Sequence, residues 1–205
     1  MGNCCGDGCS VDVLHKRQRG TLIIVLSINS LMFFVIFTAA LYGKSTALLA
    51  DSLDNLGDAV TYGISLYAVY QGNIKKAKVA LFKGILIFFA ACAVLAQLIY
   101  KIFVSTVPIF EVMGTFSIIG LIANTLCLYL LWRHRNEDIN MSSVWECSRN
   151  DIVSNVSVFL AAGAVWITGS KWPDILVALG LVWFLLRSAF RVILGARAAL
   201  CSANP

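Results

Sequence analysis

The chain has 205 residues, of which 59% are hydrophobic and only 13% are charged, and its mean hydropathy is +0.82. A soluble protein of this size could not bury so much apolar surface, so the lipid bilayer must be the solvent for most of the chain. The net charge of +5 comes from short segments between apolar stretches and not from one basic surface, which excludes a nucleic-acid-binding protein.

A polar leader, residues 1–20, precedes the first apolar stretch and contains Cys4, Cys5 and Cys9. The stretch that follows is too long for a cleavable signal peptide and has no clear cleavage site, so we expect it to remain in the membrane as a helix. The three thiols in this flexible, glycine-containing leader could capture a soft metal cation. Their spacing is not that of a zinc finger, and an absence of function is the alternative.

Five breaks rich in polar or turn-forming residues divide the remaining chain into six apolar stretches. Each is close to the roughly 20 residues that a helix needs to cross a membrane. The predicted spans are 21–43, 46–71, 79–104, 108–132, 142–168 and 173–194. The predicted fold class is an all-α integral membrane protein in which 21–195 form one six-helix transmembrane transport domain and 196–205 form a short, frayed tail.

Basic residues are distributed unequally between the two sides of this predicted bundle. One side has only Lys44, Lys101 and Lys171. The other side has a much larger set, which comprises Lys16, Arg17, Arg19, Lys75, Lys76, Lys78, Lys83, Arg133, Arg135, Arg187, Arg191 and Arg197. Because cytoplasmic segments carry the excess of lysine and arginine, we predict a multi-pass protein of the cell membrane with both termini in the cytoplasm.

Two pairs of polar residues lie inside these apolar stretches. Asp54 and Asp58 belong to the second predicted span, and Cys147 and Asp151 belong to the fifth. Each pair has the i,i+4 spacing that places both side chains on one face of a helix. Ionisable groups in hydrocarbon are costly unless they are compensated, and a bound divalent cation would compensate them directly. Metal movement across the membrane is therefore the leading hypothesis.

The depths of the two pairs overlap. At about 1.5 Å per residue, Asp54 and Asp58 lie about 12 and 18 Å into their span, and Cys147 and Asp151 lie about 8 and 14 Å into theirs. The two spans run antiparallel because they enter from opposite sides. If they are neighbours, Asp58 faces Cys147 and Asp54 faces Asp151, and the four side chains can surround one cation.

The donor types favour Zn²⁺ or Cd²⁺, since a thiolate adds softness to carboxylate oxygens. The alternative is that the polar residues only hold helices together, which is common for Asn and Ser in membranes. Asp51 and Asn155 lie one turn from the two pairs and are candidate accessory residues, with helix packing again as the alternative.

The segments LLADSLDNLGD and NMSSVWECSRND resemble the second and fifth spans of the cation diffusion facilitator family of metal–proton antiporters. In that family, His or Asp followed four residues later by Asp occupies the positions of Asp54 and Asp58, and His-x-x-x-Asp occupies those of Cys147 and Asp151. The resemblance implies a homodimer that exports divalent transition-metal cations by proton-coupled alternating access at a midplane site.

The sequence departs from the family pattern in two ways. Cys147 stands where the family usually has His, so softer ions become candidate substrates. The chain is also expected to be a short form without the usual C-terminal cytoplasmic domain. A membrane metal sensor or metal-binding protein that does not transport is the alternative function. We expect neither an enzyme nor a permanently bound cofactor, because the sequence has no Ser/His pairing and no HExxH pattern.

Overall fold

The computed structural model describes residues 7–68, 73–104, 106–133 and 139–202. In these ranges the backbone forms six α-helices and no strand. The helices are α1 (Asp7–Gly43), α2 (Thr46–Ala68), α3 (Asn73–Phe103), α4 (Phe110–Trp132), α5 (Ile139–Thr168) and α6 (Trp172–Ser202). The all-helical prediction is confirmed, and the helices end close to the predicted limits at the connections α1–α2, α3–α4 and α5–α6.

Four helices extend beyond the predicted limits: α3 begins at Asn73 and α5 at Ile139, each before its predicted start, and the extensions of α1 and α6 are the longest. The backbone of 7–20, predicted as part of a flexible leader, continues α1, so Cys9 lies on a helix whereas Cys4 and Cys5 lie outside the described residues. α6 continues through Ser202, where a frayed tail was predicted. No proline interrupts either extension, and the end of α6 contains Ala, Arg and Leu, which are strong helix formers.

Among the described residues, five helices are long and apolar enough to cross a membrane. The spanning segments are Arg19–Gly43, Gly84–Phe103, Phe110–Trp132, Ser148–Thr168 and Trp172–Ala198. α2 has a comparable length but is not among them, and it carries three aspartates. The chain is therefore a multi-pass membrane protein, whereas a span at α2 and the cytoplasmic position of the termini stay predictions.

The helices pack as two groups. α1, α2, α4 and α5 form a four-helix group in which α1 contacts α2 and α4, and α5 contacts α4 and α2. α3 and α6 form a separate pair, and this pair contacts α2 and α5. The pair is close because Gly84 has no side chain: a Cβ there would lie 2.7 Å from Cγ1 of Ile193.

The connections α1–α2, α3–α4 and α5–α6 meet at one end of the bundle, which we call the connector end. The amide of Ile109 donates to the carbonyl of Gly43 at 2.9 Å and thereby joins two of them. A large apolar cluster that includes Ile36, Leu48 and Val158 fills the half of the bundle next to this end. A smaller cluster fills the opposite half. Buried polar residues lie between the two clusters, and they form the candidate site.

Candidate metal site

A row of polar side chains follows one face of α2. Asp51, Asn55, Asp58 and Tyr62 are buried, and Asp54 is half-buried. Their spacing of three or four residues keeps them on one side of the helix over four successive turns. The sequence predicted that Asp54 and Asp58 share this face, and the structure shows that Tyr62 continues it.

α5 presents a matching polar face. Ser148, Asp151, Ser154 and Asn155 are all buried, with Asn155 and Ser148 fully inaccessible to solvent. Cys147 lies on α5 immediately before Ser148, and its side chain lies outside the described residues. Such a row of buried polar groups in a membrane helix requires compensation from a neighbouring helix, water or an ion.

A hydrogen-bonded chain joins these two faces. The hydroxyl of Tyr62 donates to Oδ2 of Asp58 at 3.1 Å, and the hydroxyl oxygen of Tyr62 lies 3.1 Å from Oγ of Ser148. Because the single proton of Tyr62 goes to the carboxylate, Ser148 donates to Tyr62. α2 and α5 are therefore neighbours, and Asp58 is connected to the turn of α5 that contains Cys147.

The two faces also repeat one local arrangement. Asn55 donates its side-chain amide to the carbonyl of Asp51 at 2.9 Å, and Asn155 donates to the carbonyl of Asp151 at 2.8 Å. Within the described part of the chain, Oδ1 of each asparagine and Oδ2 of Asp51 have no hydrogen-bond partner. Buried oxygens in this condition are suited to bind water or a cation, because an unsatisfied buried acceptor is costly.

The four-ligand site stays a prediction, because the side chain of Cys147 lies outside the described residues. Among the side chains that the structure describes, no three His, Cys, Asp or Glu lie close enough to hold one metal ion. Asp54 and Asp58 lie on α2, and Asp151 lies on the neighbouring helix α5. Ionised carboxylates on neighbouring helices repel one another, and a cation between them would remove this repulsion.

A thiol–amide contact lies on the side of the site away from the connector end. Nδ2 of Asn29 on α1 donates to the carbonyl of Val25 at 3.0 Å and approaches Sγ of Cys127 on α4 at 3.7 Å. Cys127 is buried in the apolar cluster that also contains Tyr62. No local pattern in the sequence specifies that Asn29 and Cys127 meet.

A second polar cluster, which the sequence analysis missed, lies at the connector end. Its centre is an ion pair between Lys101 on α3 and Asp174 on α6, with 2.7 Å between Nζ and Oδ2. Both residues are buried. The sequence placed Lys101 and Lys171 on one side of the predicted bundle, but it did not single out Asp174, because an aspartate in the first turn of a helix is common.

These features define a multi-helix membrane protein with an acidic helix face directed at a polar face of its neighbour. A comparison with protein-family models matches residues 22–201, most of the chain, to the cation efflux transmembrane domain. The protein belongs to the cation efflux family, whose members are membrane transporters of metal cations. The resemblance to the cation diffusion facilitators is therefore confirmed. No curated protein matches the chain closely enough to count as a relative.

Proposed function

We propose that this protein exports divalent transition-metal cations, with Zn²⁺ and Cd²⁺ as preferred substrates, in exchange for protons. Membership of the cation efflux family supports metal cation transport in general. The observation that carries the finer proposal is the chain from Asp58 through Tyr62 to Ser148, which connects the acidic face of α2 to α5. It supports the proposal because it joins the helix that carries Asp54 and Asp58 to the helix that carries Cys147 and Asp151.

The proposed ligands are Asp54 and Asp58 from α2 and Cys147 and Asp151 from α5. Three carboxylates and one thiolate would give a mixed site that is softer than an all-oxygen site. Such a site suits Zn²⁺ and Cd²⁺ better than Mg²⁺ or Ca²⁺, which prefer oxygen donors alone. A transporter also needs a site that releases its ion, so a donor set weaker than that of a structural zinc site is adequate.

Proton exchange follows from the charge of this site. Several carboxylates that share one buried space cannot all remain ionised without a counterion, so protons neutralise some of them when the metal is absent. A divalent cation that binds replaces those protons, and its release on the other side allows protons to return. Because the groups titrate as a coupled set, the protons belong to the site as a whole.

The first test is Zn²⁺ uptake by proteoliposomes that contain the wild type, Asp58→Ala or Glu111→Ala. Asp58→Ala should reduce uptake to the level of empty liposomes, because it removes a ligand and breaks the bond from Tyr62. Glu111 is exposed in the first turn of α4, so Glu111→Ala removes a carboxylate without touching the site and should transport normally.

Two results would contradict the proposal. Wild-type rates in Asp58→Ala would show that the site is placed wrongly. Zn²⁺ binding by the wild type without any uptake would instead favour the alternative function, a membrane metal sensor or metal-binding protein.

A further inference from the structure

The ion pair at the connector end is surrounded by hydrogen bonds. Asp174 accepts two hydrogen bonds on each carboxylate oxygen. Oδ1 accepts from Oγ of Ser45 at 2.6 Å and from the amide of Ala47 at 3.1 Å. Oδ2 accepts from the amide of Thr46 at 2.9 Å and from Nζ of Lys101 at 2.7 Å. A residue of α6 thus binds two of the N–H groups that the first turn of α2 leaves without partners in its own helix.

A second residue next to α6 binds the end of α3. Nζ of Lys171 donates to the carbonyls of Lys101, Ile102 and Val104 at 2.9, 3.0 and 2.9 Å. A helix has a positive N-terminus and a negative C-terminus. The segment at the start of α6 therefore presents an anion, Asp174, to the positive end of α2 and a cation, Lys171, to the negative end of α3.

We call Ser45, Lys101, Lys171 and Asp174 the connector clasp. It joins the start of α2, which belongs to the four-helix group, to the pair formed by α3 and α6. Lys101 strengthens this connection because its Nζ also donates to the carbonyl of Lys44 at 2.5 Å. Asp54 lies about 12 Å along α2 from Thr46, so the clasp fixes the height of the α2 carboxylates relative to α3 and α6.

We infer that the connector clasp is a fixed pivot of the transport cycle, and that Asp174 and Lys101 are positioning residues for the α2 carboxylates. This inference rests on the proposed transport function. The clasp stays closed while the opposite ends of the two helix groups move relative to each other. A gate that opened in each cycle would leave a buried carboxylate, a buried ammonium and two amides of α2 without partners, which is strongly unfavourable.

The test compares Asp174→Asn, the neutral double variant Asp174→Asn with Lys101→Met, and the exchanged pair Asp174→Lys with Lys101→Asp. Hydrogen exchange at the amides of 46–48 reports the clasp directly, and the KM for Zn²⁺ uptake reports the position of the carboxylates. Leu185→Ala is the control for lost stability, because Leu185 is buried against α3 and belongs to a cluster without clasp residues.

We expect Asp174→Asn to raise exchange at 46–48 about tenfold or more, because the anion that binds these amides is lost. The KM for Zn²⁺ should rise about tenfold, as for other residues that orient ligands. The neutral double variant should partly restore both the slow exchange at 46–48 and the low KM, since Asn accepts from N–H groups and no charge is left buried. The exchanged pair should restore neither the exchange rate nor the KM, because it places an ammonium at the positive end of α2.

Leu185→Ala should lower the melting temperature without changing exchange at 46–48 or the KM.

In the wild type, the amides of 46–48 should be equally protected from exchange with and without Zn²⁺. Zn²⁺-dependent loss of protection would overturn the pivot, and a wild-type KM in Asp174→Asn would overturn the positioning role. If the exchanged pair restored the exchange rate and the KM, the argument that an anion is needed at the positive end of α2 would be wrong. Exchange needs no transport, so failure of the wild type to carry Zn²⁺ would instead contradict the proposed function.

Discussion

Tyr62 is the residue whose role in the site the sequence did not reveal. Its hydroxyl touches Asp58 on its own helix and Ser148 on α5, and its ring is buried in an apolar cluster. A tyrosine four residues after an aspartate has no distinctive pattern, because aromatic residues are common throughout membrane helices. The contact becomes visible only when α2 and α5 are placed side by side.

Tyr62→Phe should retain the fold and lower the apparent affinity for Zn²⁺ by about 10- to 100-fold, because Asp58 loses the donor that orients it. The measurement is the concentration dependence of Zn²⁺ uptake. Tyr129→Phe is the matched control, since Tyr129 is largely exposed on α4. Equal affinities in the wild type and Tyr62→Phe would contradict a role for this hydroxyl in the site.

Cys147→Ser should lower Cd²⁺ transport more than Co²⁺ or Mn²⁺ transport, because it replaces a soft donor with a hard one. The ratio of the rates for these ions, measured in the same vesicles, removes the effect of differences in protein amount. Cys92→Ser is the control, since Cys92 lies on α3 and not on the facing surfaces of α2 and α5. An unchanged selectivity profile in Cys147→Ser would mean that the thiol does not bind the transported ion.

At the scale of elements, the close contact of α4 with α5 depends on Gly120. A Cβ at this position would overlap Oδ1 of Asn155 and lie 3.3 Å from Cδ1 of Ile36. Gly120→Ala should therefore destabilise the protein by about 1–3 kcal/mol, because the helices must separate or Asn155 must rotate. The measurement is the unfolding midpoint in detergent.

Gly163→Ala is the control for this substitution. It adds the same methyl group to α5, where nothing lies within 4 Å of the new Cβ. This variant should match or exceed the wild type in stability, because Ala favours helix more than Gly does. Equal midpoints for Gly120→Ala and Gly163→Ala would show that the contact with Asn155 does not constrain the helices.

The helices were largely predictable from the sequence because each apolar stretch contains its own signal of length and hydropathy. The limits at Gly43, Thr46, Trp132 and Thr168 coincide with predicted ones for this reason. The contacts between helices were not predictable in the same way. The contacts of Ser45 with Asp174 and of Gly120 with Asn155 join distant parts of the chain, and no local pattern specifies either partner.

The candidate site was predictable in part. Charged residues in apolar sequence are conspicuous, so Asp54, Asp58 and Asp151 could be singled out from composition and spacing alone. The structure places them on the facing helices α2 and α5, and the four-ligand set stays a prediction. Asp174 escaped notice because it lies at a helix start, where acidic residues are ordinary.

At the scale of the whole molecule, the polar layer lies between two apolar clusters, and the clasp joins the helices at the connector end. The cluster with Ile36, Leu48 and Val158 separates the site from the connector end. The cluster with Leu22, Val25 and Leu131 separates it from the other end. A cation bound in this layer, as we propose, would be enclosed on both sides, and the proposed exchange would require one cluster to open at a time.

The central claim is that the metal cation and the proton use the same site between α2 and α5. Simultaneous recording of luminal Zn²⁺ and luminal pH in proteoliposomes tests it most directly. The account predicts that Zn²⁺ accumulation in the lumen is accompanied by a rise in luminal pH, and that Asp58→Ala abolishes both signals together. Zn²⁺ accumulation without a pH change in the wild type, or the loss of only one signal in Asp58→Ala, would contradict it.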